Sequence, residues 1–251
     1  MNAEPLLRVE RLTRRFGGLV AISDVSFDVR SREIVGVMGA NGAGKTTLFS
    51  LIAGNARPSS GAIRLEGRNI AGLPPDRVNR LGVARTFQIV RPFAALTVLE
   101  NVATAVMYGS RRIASRREAE DQARSLLDEV GLLARAGDPA HELTLAGRKR
   151  LELARALGTG PRIILLDEVL AGLTGAEVAA ALDLIRVLHE RHGLTILIIE
   201  HVMRALMRLS DRIVVLHHGC KIADDLPDRI AEHPAVLDAY LGTGRNVDDA
   251  A

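Results

Sequence analysis

The chain has 251 residues, 47% of them hydrophobic and 25% charged, which suits a soluble globular protein with a large core. Its net charge of +3 is too small to argue for a nucleic-acid surface, and no run approaches the roughly 18 apolar residues of a membrane span. One cysteine, Cys220, excludes an internal disulfide and suits a reducing cytoplasm, and residues 1–5 lack the basic-then-apolar pattern of a secretion signal.

Residues 6–11 alternate as a half-buried strand does, and residues 21–29 contain a second strand at 25–29. Between them, 14–18 reads as a turn carrying Phe16. In a chain with five Phe, two Tyr and no Trp, an aromatic there is either a core anchor at a strand end or a ring that stacks on an adenine. Residues 33–38 form a short apolar run of strand type, and 47–53 a helical one ended by Gly54.

Between that strand and helix lies Gly39-Ala40-Asn41-Gly42-Ala43-Gly44-Lys45-Thr46, with Thr47 behind it. It fits the phosphate-binding pattern G-x-x-x-x-G-K-[ST] at every fixed position, in the strand–loop–helix setting the pattern requires. The glycines let backbone N–H groups curl round a polyphosphate, and the helix beginning near Lys45 points its positive end at the same anion. Lys45 adds a compact charge for the terminal phosphates, and the Thr46 hydroxyl can ligate Mg²⁺. The chain holds 33 basic residues of which only Lys45, Lys149 and Lys221 are lysines, yet lysine stands here. A planar guanidinium would not fit where a point charge must sit between phosphates.

Residues 62–65 read as a strand, 74–81 as a short helix begun by two prolines, and 82–88 as a strand ending in Gln88. Residues 97 to about 158 read as helical throughout, opening on a capping box of Thr97 and Glu100. Within them, 111–122 is heavily charged and reads as a solvated helix or exposed loop, and 123–134 resumes an apolar helical pattern that pauses at Gly131. A helical insertion is therefore expected at about 90–158. Strand character returns at 162–167. Helix 176–192, with the Thr174–Glu177 capping box before it, strand 195–199, helix 201–209 and strand 212–216 follow. Alternating apolar strands and amphipathic helices predict an α/β fold with a mainly parallel sheet covered on both sides. Residues 246–251 read as frayed.

Strand C-termini line the ligand crevice of a parallel sheet, so Asp167 and Glu168, at the end of an apolar strand, are expected to face the nucleotide. Asp167 is the expected partner of Mg²⁺. Glu168 is the candidate general base that activates water for attack on the γ-phosphate. His201 follows another apolar strand and is expected at the same edge, as a γ-phosphate contact. His217-His218 does not suggest zinc, because adjacent strand residues face opposite sides and no Cys or His lies at ligand spacing.

These residues resemble those of ABC-transporter ATP-binding subunits over almost the whole chain. The resemblance implies a P-loop NTPase (RecA-like) fold: a mainly parallel sheet core with an antiparallel β portion and an inserted α-helical subdomain. It implies a nucleotide-binding core at 1–89 and 159–225, a helical subdomain at 90–158 and a C-terminal helical extension and tail at 226–251. Phe16 matches the adenine-stacking aromatic, 39–47 the Walker A loop, Gln88 the Q-loop glutamine and a Mg²⁺ ligand, 163–168 Walker B with the catalytic glutamate, and His201 the switch histidine. Leu143-Thr144-Leu145-Ala146-Gly147 occupies the place of L-S-G-G-Q, fixed in register by the basic helix 150–157. There Ala146 replaces a glycine and Gly147 the glutamine, while Thr144 keeps the hydroxyl. Ala146 is tolerable where its φ is negative. Thr174 stands where the family has an aspartate, and Val169 where it has a proline.

A closer resemblance, to the subunits of branched-chain amino-acid importers, lies in 83–88, 91–93, 151–157, 198–201 and 235–242. The same group serves urea, amides and other small polar solutes. The resemblance implies ATP and Mg²⁺ as ligands and two ATPase subunits that sandwich ATP, each signature facing the partner's phosphate loop, the second subunit more often a different one than a copy. It further implies membrane permeases contacted near 88–96 through Phe93, indirectly a solute-binding protein, and a cytoplasmic location on the inner face of the membrane. A small GTPase is excluded because no lysine stands in an [NT]-K-x-D guanine reader. ABC ATPases acting on DNA or ribosomes usually carry tandem cassettes or long coiled coils, which 251 residues do not hold.

Overall fold

The computed structural model describes residues 4–87, 92–111 and 113–241; Gln88, Arg91 and the expected tail at 246–251 lie outside them. Five of the strands are parallel neighbours: β3 (Ile34–Met38), β6 (Val83–Arg85), β7 (Ile163–Asp167), β8 (Thr195–Ile199) and β9 (Arg212–His217). They run in the order β9-β3-β8-β7-β6, and β10 (Cys220–Asp225) closes the β9 edge antiparallel. A second sheet, ordered β2-β1-β4-β5, is antiparallel and comprises β1 (Leu7–Phe16), β2 (Leu19–Val29), β4 (Ser60–Leu65) and β5 (Arg68–Asn69).

Successive strand residues point to opposite faces, and the core follows that alternation. Val35, Val37, Ile163, Leu165, Leu197 and Ile199 face the antiparallel sheet and α1 (Lys45–Ile52). Ile34, Met38, Ile164, Leu166, Ile196 and Ile198 face the other way, into a cluster that also takes in Val102, Leu127 and Leu151. Both faces being covered is why these strands are unbroken apolar runs rather than alternating ones.

The helical stretch divides into α3 (Val98–Tyr108), α4 (Arg116–Glu129) and α5 (Leu145–Gly158), with 3₁₀ turns at Leu133–Arg135 and Ala140–Glu142, so it is not helical throughout. The charged 111–122 and the apolar 123–134 are largely one helix, α4. Ser115 caps it, Ala119, Ala123, Leu126 and Leu127 form its buried stripe, and Gly131 (φ +70°) follows its end. The capping boxes of Thr97 with Glu100, and of Thr174 with Glu177 at the start of α6 (Gly175–His192), are both formed.

Other boundaries move. Residues 14–16 are strand rather than turn, because shifts in register keep Arg14 paired to Ile22 and Phe16 to Leu19. The strand expected at 82–88 stops at Arg85, and the helix expected from His201 is α7 (Met203–Leu209). The helix at 74–81 is α2 (Pro75–Arg80), and α8 (Pro227–Ala231) and α9 (Pro234–Leu241) follow β10. β5 and β10 carry few buried residues and so left no apolar pattern to read. His218 lies in a left-handed turn (φ +46°) after β9, which brings its ring edge-on to His217 at 4.1 Å instead of onto the opposite face.

Candidate active site

β3, β8 and β7 are adjacent and paired up to their C-terminal ends: Val37, next to last in β3, with Ile199, and Asp167 with Ile199. The three segments that follow them therefore leave the sheet side by side. They are the 39–47 loop, Glu200-His201 and Asp167-Glu168.

The loop is tight where glycine stands. A Cβ on Gly39 would lie 2.4 Å from the Leu216 carbonyl oxygen, and one on Gly44 (φ +102°) 2.5 Å from that of Ala21. Gly44 caps α1 without a side-chain bond, leaving the first amides of that helix directed at the loop. Lys45 is buried, and its Nζ donates to the carbonyls of Gly39 (2.6 Å) and Ala40 (3.0 Å). Burial pushes its pKa down, while the charges of Glu168 and Asp167 pull it back up. Thr46 and Asp167 line one cavity of about 570 Å³ with Arg85, Glu152 and Arg155.

Asp167 is 2% exposed and does not stand alone. Its Oδ2 accepts from Arg85 Nη2 at 2.7 Å, and Thr86 Oγ1 accepts from its backbone N–H at 3.1 Å. Arg85 also donates to Ser50 Oγ (3.0 Å), which donates to the Thr46 carbonyl (2.8 Å). The guanidinium thus ties the end of β7 to the phosphate-loop helix. The sequence pattern assigned Arg85 no role, yet an arginine ending a short strand behind two buried apolar residues needs a partner and could have been flagged.

Glu168 has φ +51°, a left-handed conformation that is uncommon and strained for a non-glycine residue. Its N–H donates to the Ile199 carbonyl at 2.9 Å, and its Oε1 lies 2.7 Å from His201 Nε2. The two residues expected at one edge are therefore in direct contact. Glu200 is 4% exposed and accepts the Leu170 N–H at 2.8 Å. Burial raises its pKa to about 7.

Phe16 is 48% exposed and belongs to neither apolar cluster, so it is not a core anchor. It sits where β1 runs past the covered part of its sheet, and the Arg14 guanidinium lies 4.3 Å from its ring centre. At the signature, Leu143 is buried and Thr144 caps α5, its Oγ1 accepting the Gly147 N–H at 3.2 Å. A hydroxyl that accepts can still donate. Ala146 lies within α5 and has no positive φ, which removes the steric objection to it. Leu145 is a further departure from L-S-G-G-Q, and it is 39% exposed. Phe93, also exposed, is held by Asn101, which accepts its N–H and donates to its carbonyl. Gln88 lies outside the described residues. Tyr240 of α9 was not anticipated; it lines a cavity of about 220 Å³ with Gly39, Asn41 and His201.

Residues 22–171 match the family described as ABC transporter, and residues 220–246 the one described as branched-chain amino acid ATP-binding cassette transporter. The chain is 42% identical to the high-affinity branched-chain amino acid transport ATP-binding protein LivG of Salmonella typhimurium, an alignment covering 96% of this chain and 99% of that one. To the corresponding protein BraF of Pseudomonas aeruginosa it is 41% identical, over the same shares. The solved structure of MJ1267, an ATP-binding cassette of an ABC transporter, superposes with a TM-score of 0.86 at 27% identity, covering 95% of this chain and 99% of that one.

Proposed function

The chain belongs to the ABC transporter ATP-binding family, and from that premise we propose that it powers import of branched-chain amino acids by binding and hydrolysing ATP. The observation that carries hydrolysis is the contact of His201 with Glu168 at 2.7 Å, beside the phosphate loop. What supports the solute is the relatives' printed activity together with the match over 220–246.

In this reading the amides of 39–47 and the Lys45 ammonium hold the β- and γ-phosphates, and Phe16 offers its exposed ring to the adenine. Glu168 accepts a proton from the attacking water, and His201 orients the carboxylate and touches the γ-phosphate. Thr46 and Asp167 present a hydroxyl and a carboxylate oxygen to one cavity, a hard-oxygen set that suits Mg²⁺. They would hold that ion, with Gln88 as a further ligand, and it would supply charge stabilisation to the phosphates.

The segment 143–147 would meet ATP held by a second ATPase subunit, for which the Thr144 hydroxyl and the N-terminus of α5 are suited. Membrane permeases would dock near Phe93, placing the chain at the inner face of the membrane. No helix among the described residues is long and apolar enough to cross one. The core at 1–89 and 159–225, the helical unit at 90–158 and the extension from 226 belong to this reading.

Glu168→Gln tests it. The variant should bind ATP with wild-type affinity and lose turnover by about 10²–10⁴-fold, the range for a general base. Wild-type-like hydrolysis would remove Glu168 from the role. Uptake of labelled leucine against labelled urea, in cells lacking the gene and in cells with it restored, tests the solute.

A further inference from the structure

Lys149 is one of three lysines in the chain, it lies five residues into α5, and it is only 7% exposed. Its Nζ donates to the Glu168 carbonyl at 3.1 Å. A buried ammonium needs compensating charge, and the carboxylates of Glu200, Glu152 and Glu168 supply it.

Those carboxylates do more than balance charge. Glu152 accepts the Phe87 N–H at 2.7 Å, just past the end of β6, and Glu200 accepts the Leu170 N–H at 2.8 Å, two residues beyond Glu168. Lys149 and its acidic neighbours therefore fasten the segments that follow β6, β7 and β8 to α5.

The left-handed backbone of Glu168 has to be held, because an L-residue leaves that region when its surroundings relax. Four contacts hold it, on three sides. The N–H is fixed by Ile199, the carboxylate by His201, and the carbonyl by Lys149 together with the Ala171 N–H at 3.2 Å. Of these partners Lys149 alone comes from α5, whose N-cap and first turn hold the segment 144–147.

We propose that Lys149 is a positioning residue for ATP hydrolysis: by holding the Glu168 carbonyl it fixes the backbone that aims the Glu168 carboxylate, and it ties that aim to the signature end of α5. The inference rests on Glu168 being the base. A long, unbranched ammonium suits the task, since it reaches a single carbonyl where a forked guanidinium would seek a planar pair of acceptors.

The test uses the full-length chain under conditions in which the wild type turns over ATP, with Lys149→Met, Lys149→Met/Glu200→Gln and Glu168→Gln. Lys149→Met should lower kcat on the order of 10- to 100-fold, the loss expected from misplacing a catalytic group. KM for ATP and the affinity for a fluorescent ATP analogue should stay within about twofold, because the phosphate loop is untouched. Compared at pH 8, above the pKa of about 7 that Glu200 has in the folded chain, the double variant removes a carboxylate charge that the single one leaves without its ammonium, so it should regain thermal stability without regaining kcat. It also carries the test if the single variant does not fold.

Unchanged kcat in Lys149→Met, or kcat restored in the double variant, would overturn the proposal, as would kcat and nucleotide affinity falling together. If Glu168→Gln itself keeps wild-type turnover, the reading of Glu168 fails instead, which separates the two.

Discussion

Replacing Arg85 by methionine keeps the length and apolar stem of the side chain but removes the guanidinium. The Asp167 carboxylate, 2.7 Å away with 3% of its side chain exposed, then loses its direct counter-ion, and Ser50 Oγ loses a donor. Removing one partner of a buried ion pair costs about 3–5 kcal/mol. One side of this pair borders the 570 Å³ cavity, where water can reach the carboxylate. The lower end, about 3 kcal/mol, is therefore expected. For a chain of this length each kcal/mol moves the melting temperature by roughly 2–4 °C, so the nucleotide-free variant should melt about 6–12 °C lower.

Asp167→Asn in the same background removes the stranded charge, and the double variant should recover roughly 2 kcal/mol of the loss. Thermal and urea denaturation of the four chains without nucleotide gives the whole cycle. An Arg85→Met chain within about 1 kcal/mol of wild type, or two substitutions whose effects simply add, would refute the argument that Arg85 offsets the Asp167 charge.

Burial raises the Glu200 pKa from 4.5 to about 7, against the opposing pull of Lys149 and His201 and with Glu168 adding to the rise. Between those values the folded chain holds a proton that the unfolded chain has released, so this group's stabilisation is full below 4.5 and is lost as pH rises to about 7. Glu200→Gln should remove that dependence: from pH 5.5 to 8, wild type should lose about 2 kcal/mol relative to the variant in urea titrations. Phe16→Ala should weaken ATP binding by roughly 5- to 100-fold, the worth of base–aromatic stacking, while the melting temperature holds because the ring lies outside the core. Equal affinity for ATP and for triphosphate lacking a base, in wild type, would count against stacking. Gly39→Ala puts a methyl carbon against the Leu216 carbonyl and should destabilise by about 1–3 kcal/mol and impair nucleotide binding. A chain that melts and binds as wild type does would show that the loop has room.

The candidate site was legible because its chemistry is local. The spacing of Gly39, Gly44, Lys45 and Thr46 is the one that a single turn around a phosphate requires. Asp167 ends an apolar strand, Glu168 follows it, His201 comes two residues after another, and a parallel sheet brings strand ends to one edge. Helix starts were legible for the same reason, since Thr97 with Glu100 and Thr174 with Glu177 close bonds within four residues.

Contacts between distant parts of the chain were not legible. The pairing of Arg85 with Asp167 spans 82 residues, the contact of Lys149 with Glu168 joins a helix to a strand end, and Tyr240 of the last described helix lines one cavity with Gly39. Nor could Phe16 be decided from its neighbours, because a ring at a strand end is covered or bare according to where the core stops. Residue type and local pattern dictated which groups can do chemistry and which strand ends carry them. Tertiary structure alone decided which charges are buried together and which strained residue they hold, because burial belongs to the packed sheets and helices rather than to any one segment.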